Sequence, residues 1–474
     1  MNFKILINGE LFDSKEKMEI INPSTLSIAG TVPLVKSASF IDDIIANANE
    51  AYHSWKKIPF EMRATYLVRL RDLLLKNKES LADILVQEIA KNNKESLAEI
   101  ERSAEYITQT LSIYKELHDN PLVIDKKIHG ISGKVGKFTR EPLGVVLAIP
   151  PFNYPINLLI SKLAPALIAG NTVVYKPATQ GSLIGARISE LCYEAGFPKG
   201  VVNCVTGAGS DIGDLLVGHK DIAMISFTGS SAVGKRIASI ANRIPLVLEL
   251  GGMDPAIVLQ DADLPRTAKE IVKGALSYNG QRCTAIKRVL VVKEVHDRLV
   301  SLILEEVKKL SIGLAIQNTD ITPLISSKSV ENVKKLVDDA INNHHAKPLT
   351  DILFDKNLVY PIVLDNVSLD SMVAWQEPFG PIIPIIICND FQQCIEVANK
   401  SSYGLQASIF TNNIRLANEI AKELECGTVN INASPSRGPD IFPFLGVKDS
   451  GFNTQGLLEA ILSMTRFKGI VENK

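Results

Sequence analysis

Histidine and cysteine are scarce in this sequence, and neither is spaced for a metal. The seven histidines are scattered without the intervals a ligand set needs, with His344-His345 in a loop-like stretch, so no metal site is expected. The cysteines at 192, 204, 283, 388, 394 and 426 contain no CxxC pair and no short disulfide framework, which points to free thiols in a reducing compartment. Long apolar runs are missing too. The longest, Leu158 to Ala169, is interrupted by Ser161, Lys162 and Pro165 and falls far short of a membrane span. The opening MNFKILINGELFD turns polar at Asn8-Gly9-Glu10 and reads as strand and turn rather than a signal peptide, so the expected location is cytoplasmic. Nor does one charge dominate. Lysine plus arginine (51) nearly balance aspartate plus glutamate (52), which argues against the basic face of a nucleic-acid binder.

What is present is an ordinary globular composition, 46% hydrophobic and 22% charged, over 474 residues. That length accommodates two or three domains and more than one core. Residues 3–23 read as strand and hairpin. From Phe40 to about Leu117 the pattern is helical, with Met62, Tyr66, Leu67, Leu70, Leu73 and Leu74 on one face. Residues 121–143 resemble an extended hairpin with a cationic surface. Strands at 145–149, 172–175, 201–205 and 224–227 then alternate with helices at 156–168, 183–195, 212–217 and 233–241. Such alternation implies crossover units and a parallel sheet, with ligand loops at the carboxyl ends of its strands. A second alternating run begins with a helix over 263–278, a strand over 289–292 and a helix over 295–310, and a final strand over 467–471 is placed to pair outside it.

Several short stretches carry chemistry-bearing residues, each with a plain structural reading beside it. Cys283, in Asn279-Gly-Gln-Arg-Cys-Thr-Ala-Ile-Lys-Arg288, sits between helix and strand with Arg282, Lys287 and Arg288 close by. Positive neighbours lower a thiol's pKa and favour the reactive thiolate; a small buried residue is the alternative. Glu249 lies in the apolar run Leu246-Val-Leu-Glu-Leu250, where burial would raise its pKa toward that of a general base; an exposed edge glutamate is equally consistent. Phe227-Thr-Gly-Ser-Ser-Ala-Val-Gly234 is a glycine-bearing turn into a helix, suited to phosphate although it is not GxGxxG. Lys176 and Thr179 follow a strand and can reach a ribose or phosphate. Asn153 can donate to an oxyanion, Glu377 is a turn carboxylate, and Arg102 is most simply a surface charge.

The order of these stretches resembles the aldehyde dehydrogenase superfamily over essentially the whole chain. The residues that carry the resemblance are Phe152-Asn153, Lys176-Pro177, Phe227-Thr-Gly-Ser230, Leu248-Glu-Leu-Gly-Gly252, Gly280-Gln-Arg-Cys283 and Glu377-Pro-Phe-Gly-Pro381. The implied fold is α/β: two parallel-sheet domains plus a small β-flap for oligomerisation. A cofactor-binding domain would take residues 1–120 and 144–250, a catalytic domain 251–430, and the flap 121–143 and 453–474. Ser277-Tyr-Asn-Gly-Gln-Arg-Cys-Thr-Ala285, Arg437-Gly-Pro-Asp440, Phe442-Pro-Phe-Leu-Gly446 and residues 403–411 look most like the branch that oxidises glyceraldehyde 3-phosphate without phosphorylating it.

From the resemblance, Cys283 is the nucleophile, Asn153 and the Cys283 N–H hold the oxyanion, and Glu249 activates water to hydrolyse a thioester. Lys176, Thr179, Phe227, Gly229, Ser230, Gly234, Leu250, Glu377 and Phe379 would contact the cofactor. Arg102, Arg282 and Arg437, with Tyr154 and Thr284, would cradle the substrate phosphate, for which guanidinium groups are well shaped. Arg282 is therefore at least as much a hand on that phosphate as a stabiliser of the thiolate. Thr179 stands where NAD-preferring relatives often carry glutamate, so NADP is expected over NAD. Met253 departs from the family's usual lysine and alters the field near Glu249. The implied assembly is a homotetramer, a dimer of dimers, acting on a small phosphorylated aldehyde, with no nucleic acid or membrane partner. The competing readings are a dehydrogenase for another small aldehyde such as lactaldehyde or succinic semialdehyde, an enzyme passing its thioester to coenzyme A, and a non-catalytic scaffold on the same fold.

Overall fold

The computed structural model describes residues 1–473; residue 474, at the end of the expected flap segment, lies outside the described residues. The alternation read between residues 145 and 241 is present, and its strands are apolar because both faces are covered. Val145–Ile149, Thr172–Tyr175 and Ile222–Thr228 are buried almost throughout. With Val202–Cys204, Leu246–Glu249 and an antiparallel edge, Gly451–Phe452, they form a six-stranded sheet. The chain lays down Val145–Ile149, Thr172–Tyr175 and Val202–Cys204 outward in one direction. It then returns to add Ile222–Thr228 and Leu246–Glu249 on the other side. Strand order therefore reverses between Val145–Ile149 and Ile222–Thr228, and a ligand crevice forms beyond the carboxyl ends of strands at such a point.

Four long helices precede this sheet: α1 (Ala38–Trp55), α2 (Phe60–Lys76), α3 (Lys78–Ile89) and α4 (Asn93–Asp119). Ser37 Oγ caps α1 by accepting from the Phe40 N–H, and Asn92 Oδ1 caps α4 by accepting from the Glu95 N–H. Between α3 and α4, Ala90 takes a left-handed backbone at φ 51°, which turns Lys91 inward. The helix Asn157–Ala169 is buried along its whole length, as an element apolar all round must be.

A second sheet has seven strands, in the order Lys347–Pro348, Ile362–Asp365, Ile382–Cys388, Ile286–Val292, Asp254–Val258, Gln406–Phe410 and Thr428–Ile431. All pairs are parallel except the first. Its strand Ile286–Val292 starts earlier than the expected 289 because Lys287 and Arg288, read as cationic loop, are both 1% exposed. Their heads donate to main-chain carbonyls, Lys287 to Cys283 O (2.5 Å) and Arg288 to Met253 O (2.9 Å). A third, three-stranded sheet joins Leu122–Ile124, Lys134–Pro142 and Thr465–Asn473. The last two pair antiparallel from Thr465↔Pro142 to Asn473↔Lys134. A helical turn, Lys126–His129, interrupts the expected hairpin over 121–143.

Candidate active site

The crevice at the switch point is lined first by backbone. Ile222–Thr228 ends at Gly229, and Ser230 caps the helix Ser231–Ile240 by accepting from the Val233 N–H (3.4 Å). A Cβ on Gly229 would lie 2.5 Å from Phe227 Cζ, and one on Gly234 2.4 Å from Leu250 Cδ2. Both positions thus need glycine for close packing, with the helix N-terminus left facing the crevice. Lys176 follows the strand Thr172–Tyr175, is 5% exposed, and its ammonium donates to Pro177 O at 3.1 Å. Burial pushes its pKa down to about 8. A buried cation bonded to a neutral carbonyl, with the exposed hydroxyl-bearing Thr179 three residues on, fits a phosphorylated ribose. The segment is fixed from behind by Glu88 of α3, whose carboxylate accepts from the N–H groups of Gly181 (2.8 Å), Leu183 (2.7 Å) and Ile184 (2.9 Å). Burial still raises the pKa of Glu88 to about 7. A phosphorylated dinucleotide therefore fits this half of the crevice.

The loop that carries Cys283 is held differently. The helix expected over 263–278 ends at Leu276, and Tyr278, Asn279 and Gly280 follow with φ of 48°, 58° and 71°. This left-handed run is kept by side-chain anchors. Tyr278 Oη donates to Ile89 O (3.0 Å), and Asn279 exchanges two hydrogen bonds with Thr322 (2.7 and 2.9 Å). A Cβ on Gly280 would lie 2.3 Å from Gly380 O, so the loop abuts the Glu377-Pro-Phe-Gly380 turn. Asn153 Nδ2 donates to Gln281 O at 2.8 Å, which fixes its amide against the loop two residues before Cys283 with a second hydrogen to spare. Behind it, Lys91 donates to Asn153 O (3.1 Å) and to Glu99 (2.6 Å), both side chains of the pair being fully buried, and lies 3.6 Å from the Tyr154 ring centroid.

The expected lowering of the Cys283 pKa does not occur. Burial pushes it up to about 11, against the opposing pull of Lys287 and Arg437. Arg282 points elsewhere, its Nη2 donating to Gly274 O at 2.7 Å, and Arg288 is turned away onto Met253 O. Glu249 reverses its expectation as well. Burial favours its neutral form, but Arg437 and Lys162, with Thr228 donating at 2.5 Å, together hold its pKa below the ordinary value. Lys162 is 3.4 Å from Oε2, and Arg437 Nη1 donates to Oε1. Lys162 itself is lowered to about 8 by burial, because its single carboxylate is partly offset by the like charge of Arg437.

Of the three arginines expected to cradle a phosphate, Arg102 and Arg437 meet. Arg102 grips Asp440 bidentately (2.8 and 2.7 Å) and donates to Arg437 O, while Arg437 lies 4.9 Å over the Phe444 ring. A cavity of about 180 Å³ opens at Arg437, with Tyr106, Phe442 and Phe444 in its walls. Glu377 pairs with Lys287 at 3.0 Å and accepts from the Gly252 N–H at 3.3 Å. Phe379 packs edge-on to Phe152 at 5.9 Å. Thr284 and Leu250 are buried beside the loop and the glycine turn. Met253 is 2% exposed, and the cations that reach Glu249 come from Lys162 and Arg437 instead. Sequence reasoning missed Lys162, Lys91, Glu99 and Glu88. Lys162 had a signal, a lysine inside a wholly apolar helix, which needs an anion.

A glycine turn and a buried lysine at the switch point, with a thiol and an ionised carboxylate close to one another, are the arrangement of a nucleotide-dependent oxidoreductase. The chain belongs to the aldehyde dehydrogenase family, which it matches over residues 12–470. It is 45% identical over 469 residues to an NADP-dependent glyceraldehyde-3-phosphate dehydrogenase of Streptococcus equinus, covering 99% of this chain and 98% of that protein. The enzyme of the same name from Pisum sativum is 42% identical, with 99% and 95% covered. The crystal structure of the NADP-dependent glyceraldehyde-3-phosphate dehydrogenase of Bacillus halodurans C-125, complexed with NADP, superposes with a TM-score of 0.97 at 48% identity over 100% of this chain and 99% of that one. Among the described residues no cluster of three or more His, Cys, Asp or Glu side chains is placed to hold a metal, and no helix is long and apolar enough to cross a membrane.

Proposed function

We propose that this chain oxidises glyceraldehyde 3-phosphate irreversibly to 3-phosphoglycerate with NADP, through a thioester on Cys283 that water hydrolyses. The observation that carries the reading is the contact of Arg437 with Glu249, which joins the side chain we assign to the substrate phosphate to the carboxylate we assign as hydrolytic base. Lys176 and Thr179 would hold the 2′-phosphate of the cofactor, the turn from Gly229 to Gly234 its pyrophosphate, and Glu377 the nicotinamide ribose. When bound, NADP accepts the hydride released at the substrate's aldehyde carbon. Arg102 and Arg437, the two arginines that meet, receive the substrate phosphate. Cys283 gives its thiol proton to the ionised Glu249, Sγ attacks the aldehyde carbon, and the new oxyanion takes the spare Asn153 hydrogen and the Cys283 N–H. Glu249 passes the proton on to solvent before it activates water. Collapse of the hemithioacetal leaves the thioester. A phosphate drawing Arg437 toward itself weakens that residue's hold on Glu249. Burial then raises the basicity of the carboxylate at the moment it must take a proton from water. Hydrolysis returns the Cys283 thiol and releases the acid.

The flap offers exposed Leu122, Phe467, Ile470 and Val471, and we assign it to contacts between copies in a homotetramer. Six free cysteines fit a cytoplasmic, reducing location. The deciding experiment is the purified enzyme with glyceraldehyde 3-phosphate and NADP in phosphate-free buffer. One 3-phosphoglycerate per NADPH is expected, with activity abolished in Cys283→Ala. A requirement for inorganic phosphate or coenzyme A, or unchanged activity in Cys283→Ala, overturns the reading.

A further inference from the structure

In the sequence Lys287 is one of three cations close to Cys283; in the structure its head serves two elements at once. It is buried near the start of the strand Ile286–Val292. Its ammonium donates to Cys283 O at 2.5 Å and lies 3.0 Å from Glu377 Oε1. The same oxygen accepts from the Gly252 N–H at 3.3 Å. Among the described residues no other cation pairs with Glu377.

The Glu377 carboxylate is closely walled. A Cβ on Gly251 would lie 2.3 Å from Oε2, so this approach requires glycine. The turn that carries Glu377 is strained as well. Phe379, two residues on, has φ of 46°, a left-handed backbone that a bulky residue rarely adopts. Its ring is held edge-on to Phe152, and Asn332 Nδ2 donates to Pro378 O at 3.3 Å. Strain of this kind persists only where the surroundings impose it, and it clusters where a side chain must keep one pose. The pair is also unequal: the Glu377 side chain is 16% exposed, whereas the lysine is enclosed. A buried lysine carries a desolvation cost that an apolar residue would avoid. What the charge provides here is a fixed carboxylate whose Oε2 stays outside both contacts.

We propose that Lys287 is a positioning residue for the nicotinamide ribose. It fixes Glu377 so that the remaining carboxylate oxygen can accept from ribose hydroxyls. Through Cys283 O it ties that pose to the loop that carries the thiol. The inference rests on the reading of Glu377 as the ribose partner. One ammonium thus registers the ribose partner against the Cys283 loop, and a misplacement of about 1 Å is enough to slow a reaction between bound groups substantially.

The test is calorimetric titration of the full-length protein with NADP and with adenosine 2′,5′-bisphosphate, which carries the 2′-phosphate but no nicotinamide ribose. In Lys287→Met the Kd for NADP should rise about tenfold, while that for the bisphosphate stays within about twofold. Glu377→Gln should weaken NADP to a similar extent. Adding Lys287→Met to Glu377→Gln should then change the Kd by no more than about twofold, because the group through which the lysine acts is already lost. The double variant leaves no orphaned charge, so its comparison with Glu377→Gln decides the matter should Lys287→Met alone fold poorly. Equal loss of both ligands in Lys287→Met would reduce the lysine to a structural role. NADP affinity unchanged in that variant would mean that Glu377 keeps its pose without the lysine, and additive losses in the double variant would show a route other than Glu377. Each of these results overturns the inference. A wild-type protein that binds the bisphosphate and NADP equally would instead overturn the reading of Glu377 as ribose partner, and the inference with it.

Discussion

The two halves of the crevice are built from different materials. Around the position proposed for the cofactor the walls are largely backbone: the Gly229 turn, the N-terminus of Ser231–Ile240, and a segment whose N–H groups are tied to Glu88. Around Cys283 they are side-chain charges that satisfy one another, Lys91 with Glu99, Lys287 with Glu377, and Arg437 and Lys162 with Glu249. A backbone cradle depends on what is small and changes little when a rim side chain is replaced. A network of buried charges behaves otherwise, because removing one member leaves its partner uncompensated in a low-dielectric site. The comparison also explains why burial sets no single direction of pKa. Glu88, with only N–H donors, is raised to about 7, whereas Glu249, equally enclosed but flanked by two cations, is lowered.

The largest effect is expected from breaking the charged half at its support. Lys91→Met leaves the Glu99 carboxylate fully buried with the Ile156 and Asn157 N–H groups as its remaining partners (2.9 and 3.1 Å). A stability loss of about 3–5 kcal/mol follows for an orphaned buried charge. It would be read as a shift in the urea midpoint, and kcat should fall as Asn153 loses its tether. Combining Lys91→Met with Glu99→Gln should recover much of the stability. A single-variant loss below about 1 kcal/mol would mean that the pair does not support the charged half.

Next in size is Arg437→Ala, which separates the two duties of that guanidinium. The KM for glyceraldehyde 3-phosphate should rise about thirtyfold, the equivalent of about 2 kcal/mol, with a much smaller rise for an unphosphorylated aldehyde. The pH profile should move as well. Arg437 is the strongest of the partners that lower the Glu249 pKa, so without it the carboxylate is protonated at higher pH. The base works only when ionised, and the acid limb of kcat therefore shifts upward in pH. Equal effects on both aldehydes would remove Arg437 from phosphate binding, and an unmoved acid limb would remove Glu249 as the base it tunes.

The same division sets how far the sequence could be read. Strands such as Val145–Ile149 and Thr172–Tyr175 announce themselves because burial on both faces demands unbroken apolar runs, and the Gly229 turn because a backbone cradle has a compositional signature. The charged half is hidden because its pairings span long stretches of chain. Lys162 and Glu249 lie 87 residues apart, and Arg437 and Glu249 188 apart. Proximity in sequence misled at Cys283, where neighbouring Arg282 and Arg288 turn to carbonyls while Lys287 and distant Arg437 act on the thiol. Lys287 and Arg288 also masked the start of a strand, since polarity there reflects buried heads bonded to carbonyls rather than a loop.

The smallest effect should come from the rim of the backbone half. Thr179 is exposed, three residues beyond the buried Lys176. Thr179→Glu sets a carboxylate beside the position proposed for the 2′-phosphate, and like charges there disfavour NADP while a ribose diol can bond to the new group. Solvent screens a rim charge, so the NADP:NAD ratio of kcat/KM should fall only about tenfold, or about 1.4 kcal/mol. Raising the ionic strength should shrink the difference further, because the added repulsion is screened while the cradle is not. A ratio unchanged at low salt would move discrimination away from the rim to Lys176, and the cofactor half would then rely on a buried charge just as the catalytic half does.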